Sequence, residues 1–208
     1  MAVFADYLTV ASPSESESRI KGSRFIGIAL PCASEEDIRT NLEEVSRRYP
    51  NATHYCYAAV YSGTSRTEKS SDNGEPSGTA ARPIMSVIKG NSLTDTMVVV
   101  VRYFGGTLLG TGGLVHAYTQ SANDCIACAS IVKRCACSMF RMTLSYPDLN
   151  AFNARCRDIC AVPPEITYSD TVEITAAVPV GERDRFLQSV ADATERRARP
   201  VFLGEGYR

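Results

Sequence analysis

A chain of 208 residues, 44% hydrophobic and 22% charged, has room for one large or two small domains and too much apolar material for wholesale disorder. Its net charge of −1 excludes a global field toward nucleic acid or membrane, so any such affinity must come from a local patch. The opening MAVFADYLTV lacks the basic flank and apolar core of a signal peptide, and the longest strongly apolar run, Met97 to Val101, is too short to cross a bilayer. The expectation is a soluble, cytoplasmic protein whose eight cysteines are free and mostly buried.

Ser12 to Ser18 is polar and reads as a loop, followed by a strand over Phe25 to Leu30. Ser34 to Tyr49 is a predicted helix: Ser34 caps it, Asp37 completes a capping-box-like pair, Ile38, Leu42 and Val45 share a face, and Pro50 ends it. Ala52 to Tyr61 is strand-like and gives way to a polar loop from Ser62 to about Gly78. Thr79 to Lys89 follows as a helix with Pro83 in its first turn, where no internal donor is lost. Asp95 to Phe104 is apolar on both faces and predicts a central strand. Beyond the loop from Gly105 to Gly113, a long helix runs to about Val132 with a stripe of Leu114, Tyr118, Ser121, Cys125, Cys128 and Val132.

The rhythm then changes. Strands over Met139 to Ser145, Glu165 to Tyr168, Thr171 to Val178 and Pro200 to Leu203 alternate with helices over Leu149 to Cys160 and Glu182 to Arg196. That βαββαβ order predicts a ferredoxin-like domain over 138–208 behind a first domain over 1–135, an α+β protein in all.

Two glycine-bearing stretches are the candidate working surface. Arg102 to Tyr118 places Gly105, Gly106, Gly110, Gly112 and Gly113 between a buried strand and a helix, where bare backbone N–H groups suit a phosphate or carboxylate. It is not a P-loop, since Thr111 stands where lysine is required, nor a dinucleotide fingerprint, since Val115 stands where a third glycine is required. Ser71 to Pro83 holds Asp72 and Glu75 around a turn before Gly78 and Thr79, an arrangement able to hold a divalent cation, to do acid–base work, or simply to turn and cap a helix. With Arg102, Thr111 and His116, these residues are the candidate ligand- or anion-binding set; Lys21, Arg24, Arg82 and Arg102 are candidate nucleic-acid contacts. His54 and Cys56 share a sheet face, and Cys125 and Cys128 form a C-x-x-C, but Cys56 and Asp124 stand where a zinc deaminase requires Glu and Pro, and Cys125 and Cys128 fall on the core stripe of a helix; Cys135/Cys137 and Cys156/Cys160 match no standard four-ligand spacing. No cofactor and no metal is expected.

The blocks IKGSRFIG (20–27), ATHYCYA (52–58), SSDNGEPSGTA (70–80) and VVRYFGGTLLGTGGLVHAY (100–118) closely resemble those of the YigZ/IMPACT family, in the same order. The resemblance implies a first domain of the ribosomal-protein and elongation-factor second-domain type. It also implies a second domain like one in elongation factor G, and a link to translation or its regulation through RNA, the ribosome or a translation factor. Leu108 and His116 stand where members usually carry lysine and arginine, which lowers the expected affinity for polyanions and its salt dependence. A non-enzymatic binding protein is the leading expectation. The alternatives are an enzyme on a phosphorylated small molecule or nucleotide, using the glycine loop, and a protein-interaction module docking through the ferredoxin-like sheet.

Overall fold

The computed structural model describes residues 5–62 and 66–208. The chain is a mixed α+β protein in two compact units, residues 7–133 and residues 134–208, the latter together with residues 5–6.

In the first unit the elements are β1 (Tyr7–Val10), β2 (Ser14–Ile20), β3 (Ser23–Pro31), α1 (Glu35–Arg48), β4 (His54–Ser62), β5 (Arg66–Ser71), α2 (Ala81–Gly90), β6 (Thr96–Tyr103), α3 (Gly110–Ala127) and β7 (Ile131–Arg134). Five strands form an antiparallel sheet in the order β2-β3-β6-β4-β5, and β1 pairs with β7. The apolar run of β6 lies in the middle, as its two-faced hydrophobicity predicts. Strand alternation splits its side chains between two cores. Val98 and Val100 pack with α2 and α3 through Ile84, Ile88, Leu114 and Tyr118. Met97, Val99 and Val101 pack with α1 through Ile38 and Val45.

The helices start where local chemistry places them. The Ser34 hydroxyl accepts the Asp37 N–H at 3.1 Å, while the Asp37 carboxylate accepts the Ala33 N–H at 2.7 Å, a reciprocal cap reaching one residue further back than a capping box. Pro83 sits in the first turn of α2, where its missing donor costs nothing. Helix α3 lies so close to β3 that a Cβ on Gly27 would stand 2.3 Å from the Ser121 carbonyl oxygen.

Several expectations are corrected here. Ser12 to Ser18 is mostly strand: β2 alternates half-buried Ser14, Ser16, Ser18 and Ile20 with exposed Glu15, Glu17 and Arg19, the polar make-up of a guarded edge. The expected loop from Ser62 to Gly78 contains the second edge strand, β5, which is equally polar; residues 63–65 of it lie outside the described residues. Helix α3 ends at Ala127, not near Val132, so Cys128 is exposed and Val132 belongs to β7. Tyr7–Val10 is a strand that periodicity did not reveal.

The second unit contains β8 (Ala136–Leu144), α4 (Tyr146–Arg155), β9 (Glu165–Tyr168), β10 (Val172–Pro179), α5 (Arg183–Ala193) and β11 (Val201–Tyr207). Its antiparallel sheet runs β11-β8-β10-β9. Phe140, Met142 and Leu144 alternate inward on β8 and meet Leu149 and Phe152 of α4 and Phe186 and Val190 of α5. Helix α4 begins earlier than periodicity indicates, because Ser145 caps it through the Asp148 N–H and Pro147 stands in its first turn. It also stops earlier, at Arg155, with a single 3-10 turn over Arg157–Ile159.

Candidate functional site

The candidate surface lies in the first unit, at the end of β6 and the start of α3. Arg102 is the last inward-facing residue of β6, on the same side as Val98 and Val100, and its register neighbours are Phe25 on β3 and His54 on β4. Its side chain is 5% exposed, and that of Glu75 is 3% exposed. Arg102 Nη1 donates to Glu75 Oε1 at 2.5 Å, and Nη2 donates to the Ser23 hydroxyl at 3.3 Å. The guanidinium also stacks 5.3 Å from the Phe25 ring centroid and 5.5 Å from that of Phe104. Its Nε is buried with no acceptor.

Glu75 Oε1 collects further partners. The buried Tyr118 hydroxyl donates to it at 2.8 Å, and His54 Nε2 lies 3.7 Å away. The other ring nitrogen of His54, Nδ1, is 2.9 Å from the Asn73 carbonyl oxygen. A carbonyl only accepts, so Nδ1 carries the hydrogen, and the ring is oriented with Nε2 toward Glu75. Cys56 Sγ stands 3.3 Å from the Tyr118 hydroxyl and 2.9 Å from the Asp72 carbonyl oxygen. Burial pushes this thiol up to about 12, against a lowering contribution from Tyr118, so it is no thiolate nucleophile near neutral pH. Burial, reinforced by Cys56 and Glu75, drives the Tyr118 phenol far above its ordinary range.

Asp72 has a different role from Glu75. One carboxylate oxygen accepts the N–H groups of Ala80 and Ala81 at 3.0 and 2.8 Å; the other accepts that of Gly78 at 2.9 Å. The start of α2, placed by the sequence among the candidate anion-binding residues through Gly78 and Thr79, therefore offers no free N–H group at Gly78, because Asp72 already fills it. Thr79 is buried, its hydroxyl donating to the Pro76 carbonyl. Burial raises the Asp72 carboxyl, but the three backbone donors outweigh it and hold it below the usual range.

The glycines divide by function. Gly105 is required for packing: a Cβ there would meet the Gly22 backbone at 2.0 Å, so the β2–β3 turn presses against this loop. Gly106 and Gly110 have φ of +84° and +70°, in the left-handed region. Gly113 would push its Cβ to 3.2 Å from Leu109, whereas Gly112 faces open space with an ordinary φ, so neither packing nor backbone demands glycine there. Helix α3 has no side-chain cap, and Gly110, Thr111 and Gly112 are exposed, unlike the start of α2.

A cavity of about 430 Å³ opens between these parts. His54, Glu75 and Arg102 line it with Thr111 at the start of α3, and Pro76, Phe104, Leu108, Leu109 and Leu114 supply apolar walls. Leu108 is 84% exposed and Phe104 44%, so the rim is hydrophobic and faces solvent.

The proposed basic set does not assemble. Arg102 is buried on Glu75; Arg24 pairs with Glu17 at 2.7 Å; Arg82 stands on α2, beside Val115 and Thr119. Lys21 is exposed in the turn next to the glycine loop, and His116 is exposed on α3. Cys125 lies in the core while Cys128 is exposed, and among the described residues no group of three or more His, Cys, Asp or Glu is placed to hold a metal ion.

The family profile described as the Impact N-terminal domain matches residues 21–126, which include every residue of this cluster. The IMPACT family member YvyE of Bacillus subtilis (strain 168) is 33% identical over 192 residues, 92% of this chain and 88% of that protein. The IMPACT family member YigZ of Escherichia coli (strain K12) is 30% identical over 188 residues, 89% and 92% of the respective chains. A crystal structure of a hypothetical protein superposes with a TM-score of 0.66 at 29% identity, covering 95% of this chain and 97% of that one.

Proposed function

The chain belongs to the IMPACT family, and on that premise we propose that it is a non-enzymatic, cytoplasmic binding protein linked to translation, which meets a translation factor or the ribosome through the loop between β6 and α3. The observation that carries this reading is the exposed apolar rim of Phe104 and Leu108 beside the uncapped start of α3. Large apolar side chains held out to water next to bare backbone donors suit a protein surface. They suit a free RNA backbone poorly, since of the expected cations only Lys21 is exposed beside this loop without an ion-pair partner among the described residues.

On the same premise the first unit is assigned to the ribosomal-protein and elongation-factor second-domain type that the resemblance implies, and the second to a ferredoxin-like domain, an assignment supported by its strand order 4-1-3-2 in its own numbering. Covalent catalysis finds little support: the Cys56 thiol is held protonated, Asp72 is occupied as a helix cap, and the charge of Glu75 is matched by Arg102. Among the described residues no helix is long and apolar enough to cross a membrane.

Co-sedimentation with ribosomes, and pull-down of purified translation factors, test the reading. Binding is expected at low salt, with Leu108→Glu and Phe104→Ser weakening it about tenfold or more. A rim with one exposed lysine releases about one counterion, so log K should fall with log salt at a slope near about −1. Binding unaffected by both substitutions, or a slope several times steeper, would move the contact to another surface and to nucleic acid.

A further inference from the structure

The cavity beneath the β6–α3 loop has features that a flat docking rim does not need. Its walls are largely Pro76, Phe104, Leu108, Leu109 and Leu114 and it opens to solvent past Leu108, yet it carries polar groups at one side: Arg102, the start of α3 at Gly110 and Thr111, and His54. The volume of about 430 Å³ is within the range of small-molecule sites and far beyond that of a bridging water.

The charges there decide which ligand end is welcome. Arg102 and Glu75 form a buried pair that is neutral as a unit. What remains uncompensated among the described residues is positive in sense: the first-turn N–H groups of α3, which no side chain caps, and the Arg102 Nε–H, buried without an acceptor. Gly112, which nothing in the fold requires to be glycine, leaves that turn open to close approach. A cation would find no free acceptor charge, whereas an anion would find donors already in place. The apolar walls decide the rest of the molecule. A sugar phosphate or nucleotide would set several hydroxyls against leucine and phenylalanine, leaving them without partners, whereas a hydrocarbon body fits.

We propose that this cavity binds a small carboxylic acid with a compact aromatic or branched aliphatic body, its carboxylate at the Gly110–Gly112 turn of α3 and its body against Phe104, Leu109 and Leu114. The site needs no partner protein, and its occupation would place the ligand directly under the rim residues Phe104 and Leu108.

Amide NMR spectra of the full chain, titrated with phenylacetate and isovalerate, test this. Phenylacetamide serves as the neutral counterpart and inorganic phosphate as the anion without a body. Saturable shifts are expected at the amides of Gly110 to Gly113 with both acids. Phenylacetamide should bind about tenfold more weakly or less, and phosphate should leave these amides unmoved at the same concentration. Thr111→Glu puts a competing carboxylate at the helix start, where an acidic side chain favours the helix, so this variant should stay folded and lose about tenfold in affinity for the acids. Phe104→Ala should weaken binding of both acids and leave phosphate without effect on these amides. The idea is overturned if neither acid shifts these amides at millimolar concentration, if phenylacetamide binds as well as phenylacetate, or if folded Thr111→Glu binds the acids unchanged. Ribosome and factor binding are measured separately, so loss of either result leaves the other standing.

Discussion

Arg102 is the last inward residue of a strand whose adjacent inward side chains, Val98 and Val100, are aliphatic, and a guanidinium in that position is tolerable only when paired. Its partner, Glu75, is 27 residues away in sequence, across a strand edge and a helix. Replacing Glu75 by Gln should therefore cost about 3 kcal/mol or more of stability, because an almost fully buried cation loses its counter-charge. Replacing both, as Glu75→Gln with Arg102→Met, should cost clearly less than the sum of the single changes; a urea-unfolding cycle that came out additive would show that the pair is not coupled.

Asp72 carries a separate pH signature. Its folded-state value lies below its ordinary value of 3.8, so the stability it contributes is present above 3.8 and is lost as pH falls through the depressed value. Asp72→Ala should lower stability by about 1–2 kcal/mol near neutral pH and flatten the acid limb of the stability profile below about pH 4. An acid limb identical to that of the parent would assign that limb to other carboxylates.

At this scale the sequence picked out both carboxylates but not their separate jobs. Two acids three residues apart look equivalent on paper. Here one faces the amides that open α2, while the other is drawn into the sheet by an arginine. The legible clue was Arg102 itself, a charge closing an apolar strand, which demands an acid somewhere in the fold. Tyr118, marked only as part of a helix stripe, and Ser23, not marked at all, enter the network through tertiary contact.

Among the elements, those buried on one or two faces were the most readable. The central position of β6, the Ser34 cap of α1 and the inward stripe of α3 through Cys125 follow from periodicity and capping chemistry. The edge strands β2 and β5 were hidden for the converse reason: an edge strand buries little, so its composition resembles a polar loop. The glycines of α3 and β3 make opposite predictions. Gly27→Ala forces a Cβ into the Ser121 carbonyl and should destabilise by about 2 kcal/mol or more, since neither backbone can yield alone. Gly112→Ala adds a methyl to open space in a helical turn and should stabilise by about 0.5 kcal/mol. Thermal unfolding of the two variants checks both signs; a stabilising Gly27→Ala would mean that α3 can withdraw from the sheet at little cost.

For the whole molecule, each unit has its own hydrophobic core. Residues 7–133 close around the two faces of the five-stranded sheet, and residues 134–208 around one face of the four-stranded sheet. A fragment over residues 5–133 should therefore fold alone, with dispersed amide NMR signals and a cooperative denaturant transition. A fragment that stays unfolded would show that the first core depends on the rest of the chain.

The sequence by itself determined the α+β class, the helices and the buried strands, the glycine-rich loop between a buried strand and a long helix, and the family resemblance. These depend on local periodicity, capping and motif spacing, which are written in neighbouring residues. Only the tertiary structure decided that Arg102 and Glu75 form one buried pair, that Asp72 closes α2, that Gly105 is a packing glycine, and that an apolar cavity opens beside the start of α3. Each of these joins residues from separate strands and loops. Side chains far apart in sequence become neighbours only when the sheet sets its strand order and register, and no local pattern encodes that choice.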